Sequence, residues 1–148
     1  MSGVRFAVTT AEIALTAATA KTVLQIVAAA NHRIHIQSWG FWFDGVSTTA
    51  EPVQARLLKQ TTAGTMSAAT PVKVGTYDET LQVTAQHTAT AEPTASDVYA
   101  VKEIHPQQGY QEIRPLGREW IIPGGTRLGL ELTAPATVNV RVEIEGEE

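Results

Sequence analysis

The side chains of this chain with the potential for chemistry are four histidines, fifteen carboxylates and a short run of aromatic residues, with no cysteine. His32 and His35 come nearest to a metal-ligand pair. Three residues apart on a continuous strand, they project to opposite sides and cannot chelate one ion. Nucleophilic catalysis finds neither a thiol nor a Gly-x-Ser-x-Gly elbow. Asp78-Glu79 and Glu147-Glu148 are adjacent acids. Neighbours on a strand diverge, whereas glycoside hydrolysis needs two carboxylates at a fixed separation across a cleft. Pro123-Gly124-Gly125 lacks the lysine and the following helix of a phosphate loop. The expectation is therefore no catalytic residue, no cofactor and no metal.

What is left is stacking and contact chemistry. Trp39, Phe41, Trp42 and Phe43 lie within five consecutive residues. Core packing is one use of such a run, because aromatic side chains bury large areas. Carbohydrate stacking is another. In a regular strand Trp42 cannot share a face with Trp39, Phe41 and Phe43, so two faces need cover. Tyr110 and Trp120 read as further interface anchors, since such residues carry much binding energy when centrally buried. Ser38, beside Trp39, reads as a small inward-facing residue.

The elements that must position these residues are strands. From Thr137 to Glu145 apolar and polar residues alternate without a break, placing Val138, Val140, Val142 and Ile144 on one face. Arg127 to Thr133 alternates through Leu128, Leu130 and Leu132, and Val4 to Thr9 through Val4, Phe6 and Val8. Thr22 to Ala28 reads as a strand buried on both faces. Arg33 to Phe43 reads as the central strand, with Gly40 marking a bulge or a close backbone approach. Further strands are expected at Val53–Gln60, Val72–Val74, Leu81–Gln86, Val98–His105, Tyr110–Leu116 and Glu119–Ile122. Ala17–Lys21 fits a helical turn or an irregular link. Val46–Glu51, Thr61–Pro71 and Thr88–Asp97 read as loops of low hydrophobicity, and Asp44-Gly45 and Pro123-Gly124-Gly125 as turns. About eight to ten short strands at this spacing predict an all-β protein, a jelly-roll-like antiparallel β sandwich of a single domain. Another Greek-key connectivity satisfies the same pattern. Residues 1–11 form either the first strand or an extended arm, and 12–148 the sandwich. As an arm, the segment would offer Val4, Phe6 and Val8 to a neighbour.

A jelly roll invites comparison with cupins, which use a His-x-His pair, a Glu and a later Pro-x-Gly-x-x-His. Pro123-Gly124-Gly125-Thr126-Arg127 opens in that manner, but Leu128 stands where the histidine would be. The net charge of −4 opposes general nucleic-acid binding, which needs a basic stripe to displace counterions from phosphates. The start of the chain lacks the basic and apolar regions of a secretory signal, and no apolar run approaches the roughly 20 residues of a membrane span.

Three segments carry a resemblance. They are Ala29-Ala30-Asn31-His32-Arg33 leading into Trp39-Gly40-Phe41, then Pro52-Val53-Gln54-Ala55-Arg56-Leu57-Leu58-Lys59-Gln60-Thr61-Thr62-Ala63-Gly64, and finally Pro123-Gly124-Gly125-Thr126-Arg127-Leu128-Gly129 with Thr133-Ala134-Pro135. Over most of its length the chain resembles small virion proteins of tailed bacteriophages, of the capsid decoration (cement) or head-structural type. The resemblance implies a homotrimer on the capsid exterior that reinforces contacts between major capsid proteins. A virion location goes with synthesis in the host cytoplasm, which the absence of cysteine fits, and the charge and hydropathy above predict no nucleic-acid or membrane partner. Two alternatives stand beside it. One is a virion receptor- or glycan-binding module of a tail tip or head fibre, acting through Trp39, Trp42 or Trp120. The other is a cupin-like metalloenzyme.

Overall fold

The structure is a computed structural model that describes residues 3–45 and 51–148; of the expected loop at 46–51, all but Glu51 lies outside the described residues. The described residues form thirteen strands and no helix: β1 (Arg5–Thr9), β2 (Ile13–Leu15), β3 (Ala20–Val27), β4 (Ile34–Phe43), β5 (Val53–Gln60), β6 (Thr65–Ala69), β7 (Val72–Lys73), β8 (Thr84–Ala91), β9 (Ala95–Ile104), β10 (Gly109–Ile113), β11 (Trp120–Ile122), β12 (Arg127–Thr133) and β13 (Val138–Glu147). The helical-turn reading of Ala17–Lys21 gives way to a bend, with Ala18 at φ 56° and β3 already under way at Ala20.

Two antiparallel sheets pack face to face. In the first, β4 and β13 are central neighbours; β1 and β2 both pair with the far side of β13, and β10 and β11 both pair with the far side of β4. In the second the order is β6-β8-β3-β12-β5-β9. Counting β1 with β2 and β10 with β11, and setting aside the β6–β8 insertion, the chain has eight main strands. They lie in the order first-eighth-third-sixth and second-seventh-fourth-fifth, which is the jelly-roll path. The N-terminal segment is a strand of this sandwich, paired from Arg5↔Glu147 to Thr9↔Glu143.

The core between the sheets comes from the alternation seen in the sequence. Val140, Val142 and Ile144 of β13 and Leu128, Leu130 and Leu132 of β12 are buried, as are Phe6, Val8, Ile34, Ile36, Trp39 and Phe41. Each such side chain contributes about 1.5–3 kcal/mol on burial. In β4 the inward parity changes between Ile36 and Trp39. The ladder with β13 slips there, between Glu145 and Gly146, so Gln37 is an extra residue. The bulge therefore sits three residues before Gly40. It also turns Ser38 outward, opposite Glu145 and Ile113, which corrects the inward placement expected for Ser38.

Two expected loops contain strand. Thr65–Ala69 pairs with β8, and β8 itself extends through Ala91. After His87 the strand leaves β3 at Thr88, whose φ of 56° makes the bend. The backbone N–H of Thr22, released from that ladder, donates instead to both carboxylate oxygens of Glu92 at 3.0 and 2.9 Å.

Part of the outer face of the second sheet, around Gly129, is consequently covered. Segments 61–64 and 92–94 are tied to each other, Thr61 N donating to Thr94 O at 2.8 Å and Thr94 N to Thr62 Oγ1 at 2.8 Å. Nearby lies a buried polar chain. Gln25 Nε2 donates to Gln60 Oε1 at 2.7 Å, Gln60 Nε2 to Thr22 Oγ1 at 2.9 Å, and Thr22 Oγ1 to Glu92 Oε2 at 2.7 Å. A Cβ at Gly129 would stand 2.3 Å from the Gln60 amide carbon, so only glycine lets that side chain lie across β12.

Candidate functional site

The residues singled out as interface candidates separate into three groups. Phe6, Val8 and Trp39 are fully buried and Val4 is 9% exposed, so these four belong to the chain's own interior. Tyr110 and Trp120 are half-buried against the core. Trp42 is 41% exposed. A β4 strand with its aromatic residues on both sides supplies the reason: Trp39, Phe41 and Phe43 face inward, and Trp42, between them in parity, faces out.

Tyr110 and Trp120 sit on a seam where the edge of one sheet, β9, meets the edge of the other, β10 with β11. The Trp120 ring stacks on Tyr99, with centroids 5.7 Å apart and planes 19° from parallel. Arg114 lies over the other partner of that stack, its guanidinium carbon 4.4 Å from the Trp120 ring centroid. Tyr110 packs edge-on against Trp39 at 5.6 Å, with Lys102 Nζ 5.3 Å from its ring centroid. Glu112 joins the two layers. Its carboxylate accepts from Tyr110 Oη at 2.9 Å and from Arg114 Nη1 at 3.0 Å, and lies 3.7 Å from Lys102 Nζ. Burial, followed by the Glu112 hydrogen bond, raises the Tyr110 hydroxyl above its ordinary value; burial, followed by Asp97, does the same to Tyr99. Two cations and one acid satisfy one another, with rings packed between them, and make a seal.

The histidines are not brought together. His32 lines a recess of about 400 Å³ with Val4, Arg33, Glu79 and Glu148, whereas His35 lines another of about 250 Å³ with Gln37, Leu116, Glu119 and Glu147. Both recesses share Arg33 and Glu148. The Glu148 side chain is occupied in accepting from the backbone N–H groups of Gln82 and Val83, each at 2.8 Å. Among the described residues no three His, Cys, Asp or Glu side chains are grouped to hold a metal ion. Leu128, at the position where a cupin places histidine, is fully buried in the core.

A third recess, of about 290 Å³, lies beside Trp42 on the outer face of the first sheet. Glu12, Asp44, Asn139 and Arg141 surround it. The ladder register builds it, because Arg141 is paired with Trp42 and Val140 with Phe43, leaving Asn139 level with Asp44. Asp44 Oδ1 accepts from Asn139 N at 3.2 Å and Oδ2 from Asn139 Nδ2 at 3.4 Å. A side-chain hydrogen bond shared with Glu12, with those from Asn139 behind it, holds Asp44 below its ordinary carboxylate value. Parity in the sequence separates Trp42 from Trp39, Phe41 and Phe43, but the bulge at Gln37 decides that Trp42 faces out, and the meeting of Asp44 with Asn139 depends on a pairing that no local pattern encodes. Compared with known protein families, with curated proteins and with solved structures, the chain matches none.

Proposed function

We propose that this chain is a virion structural subunit, a capsid decoration protein that binds between major capsid proteins and stabilises the head as a homotrimer. One observation carries the reading. Of the seven large apolar side chains exposed among the described residues, five (Val98, Val101, Ile113, Leu116 and Ile121) lie between Ala95 and Ile122, on β9, β10, β11 and the turn joining the last two. They flank the seam where both sheets end. Open edges of this kind pair readily with other chains, and exposed apolar side chains on both sides of the seam add surface that association would bury. The ion-paired stack beneath keeps that surface in one shape, and rigidity lowers the ordering cost of association. A reinforcing subunit needs such a surface and no reactive group.

The experiment is co-sedimentation of the purified chain with expanded phage capsids, together with light scattering for its solution mass. Saturable binding, a trimeric mass and capsids that survive higher temperature are expected. Ile113→Asp combined with Leu116→Asp, both at exposed positions, should abolish binding while the fold persists by circular dichroism. A chain that never sediments with the capsids of its own phage defeats the proposal.

A further inference from the structure

We propose that the recess beside Trp42 binds one neutral pyranose sugar unit, with the indole as stacking platform and the Asp44–Asn139 pair as hydroxyl receptor. Two glycines carry the first half. Gly40 precedes Trp42 by two residues on the same outer face, and Gly109 is its cross-strand partner on β10. A Cβ at Gly40 would stand 2.9 Å from Trp42 Cη2, and one at Gly109 would stand 2.2 Å from Cδ1 and 2.9 Å from Nε1. The indole therefore lies down along the sheet, across both glycines, with one ring face on backbone. The opposite face is turned to solvent, which accounts for its 41% exposure. An indole held flat and open presents a π surface to the polarised C–H groups of a sugar ring, and the flatness is already set before any ligand arrives.

The polar half lies along one edge of the platform. Asp44 is fixed by two hydrogen bonds from Asn139, with Glu12 beside it, so its carboxylate is held in place at the recess. Arg141, the cross-strand neighbour of Trp42 on β13, brings guanidinium donors to the same recess. A hydroxyl both donates and accepts, so neighbouring hydroxyls on a ring match a carboxylate and a guanidinium side by side. The recess of about 290 Å³ is at the small end for ligand sites and suits a single ring. Glu12 and Asp44 together disfavour an acidic sugar. The site shares β10 with the seam but lies on the outer face, whereas Tyr110 and Trp120 pack against the core, and it does not depend on capsid binding.

The test is a glycan array of neutral and acidic oligosaccharides, followed by titration of tryptophan fluorescence with the methyl glycoside of the best neutral ligand. Binding of neutral glycans is expected, weakened about tenfold or more in Trp42→Ala by loss of the stacking contact. Gly109→Ala keeps the indole but lifts it, and should weaken binding too. Asp44→Asn should weaken binding with the platform intact. Circular dichroism establishes that each variant is folded. Binding confined to acidic glycans, no binding to any glycan, or equal affinity in folded Trp42→Ala and Asp44→Asn would each overturn the proposal.

Discussion

On each outer face of the sandwich a long side chain lies flat across glycine. On the second sheet it is Gln60 over Gly129; on the first it is Trp42 over Gly40 and Gly109. The two differ in what lies above. Gln60 is 1% exposed and hydrogen-bonded at both ends of its amide, to Gln25 and to Thr22. Trp42 has nothing comparable over its outer ring face. The same backbone device thus serves two ends. Closed over, it ties a sheet to its own loops through satisfied polar groups; left open, it presents a surface to other molecules. The surroundings agree. Gln25, Thr22 and Gln60 are uncharged and buried, and the buried carboxylate beside them, Glu131, is ion-paired with Arg56, whereas the first sheet's outer face carries Glu143, Glu145 and Glu147 in a column along β13. Uncharged amides can be buried once paired, while unpaired carboxylates stay near water.

Substitutions on the two faces should therefore differ, and the largest effect is expected on the closed one. Gln60→Leu removes the link between Gln25 and Thr22 and should cost about 1–3 kcal/mol in urea unfolding. A cost near zero would mean that the buried chain is incidental and that the faces are alike. A smaller, conditional effect is expected at the seam, which belongs to neither face. Tyr110 has its hydroxyl raised above the ordinary value of 10.0 by burial and by Glu112, with Lys102 acting in the opposite direction. The folded state holds that proton more tightly, so the contribution is complete below pH 10 or so and is lost as pH climbs through the raised value. Stability followed against pH should thus fall in alkaline solution, and less steeply in Tyr110→Phe. An unchanged alkaline slope in that variant would assign the fall to other groups. The smallest effect is expected on the open face, where Glu143→Gln should change stability by no more than about 0.5 kcal/mol. A larger loss there would place hidden structure on the face that is described as open.

The sandwich was legible where one face is dry and the other wet. β12 and β13 bury Leu128, Leu130, Leu132, Val140, Val142 and Ile144, the residues their alternation singles out. β6 and the end of β8 were not legible. Their Thr, Ser and Ala side chains show no periodic apolar signal, and what holds them is backbone pairing to a neighbour already in place. Phe6, Val8 and Trp39 read equally well as contact residues or core, because burial against a second subunit and burial against a second sheet leave the same pattern. The Trp42 site was half legible. That Trp42 lies opposite Trp39, Phe41 and Phe43 follows from parity, but its outward direction needs the bulge at Gln37, and the polar half joins residues 95 apart and needs the register of β4 on β13.

The pairing of β1 with β13 has a temporal consequence. Val4 and Glu148 exchange backbone hydrogen bonds at 3.1 Å in both directions, and β13 fills the slot between β1 and β4. During synthesis the first strand emerges long before its neighbour exists, and the two oldest strands of that sheet wait with unfilled ladders until residues 138–147 clear the ribosome. Closure is then a late event over great sequence distance, the kind of topology that folds in milliseconds to seconds. Until then the growing polypeptide depends on its polar loops, and on whatever shields nascent chains in the cell, to avoid pairing with the wrong edge.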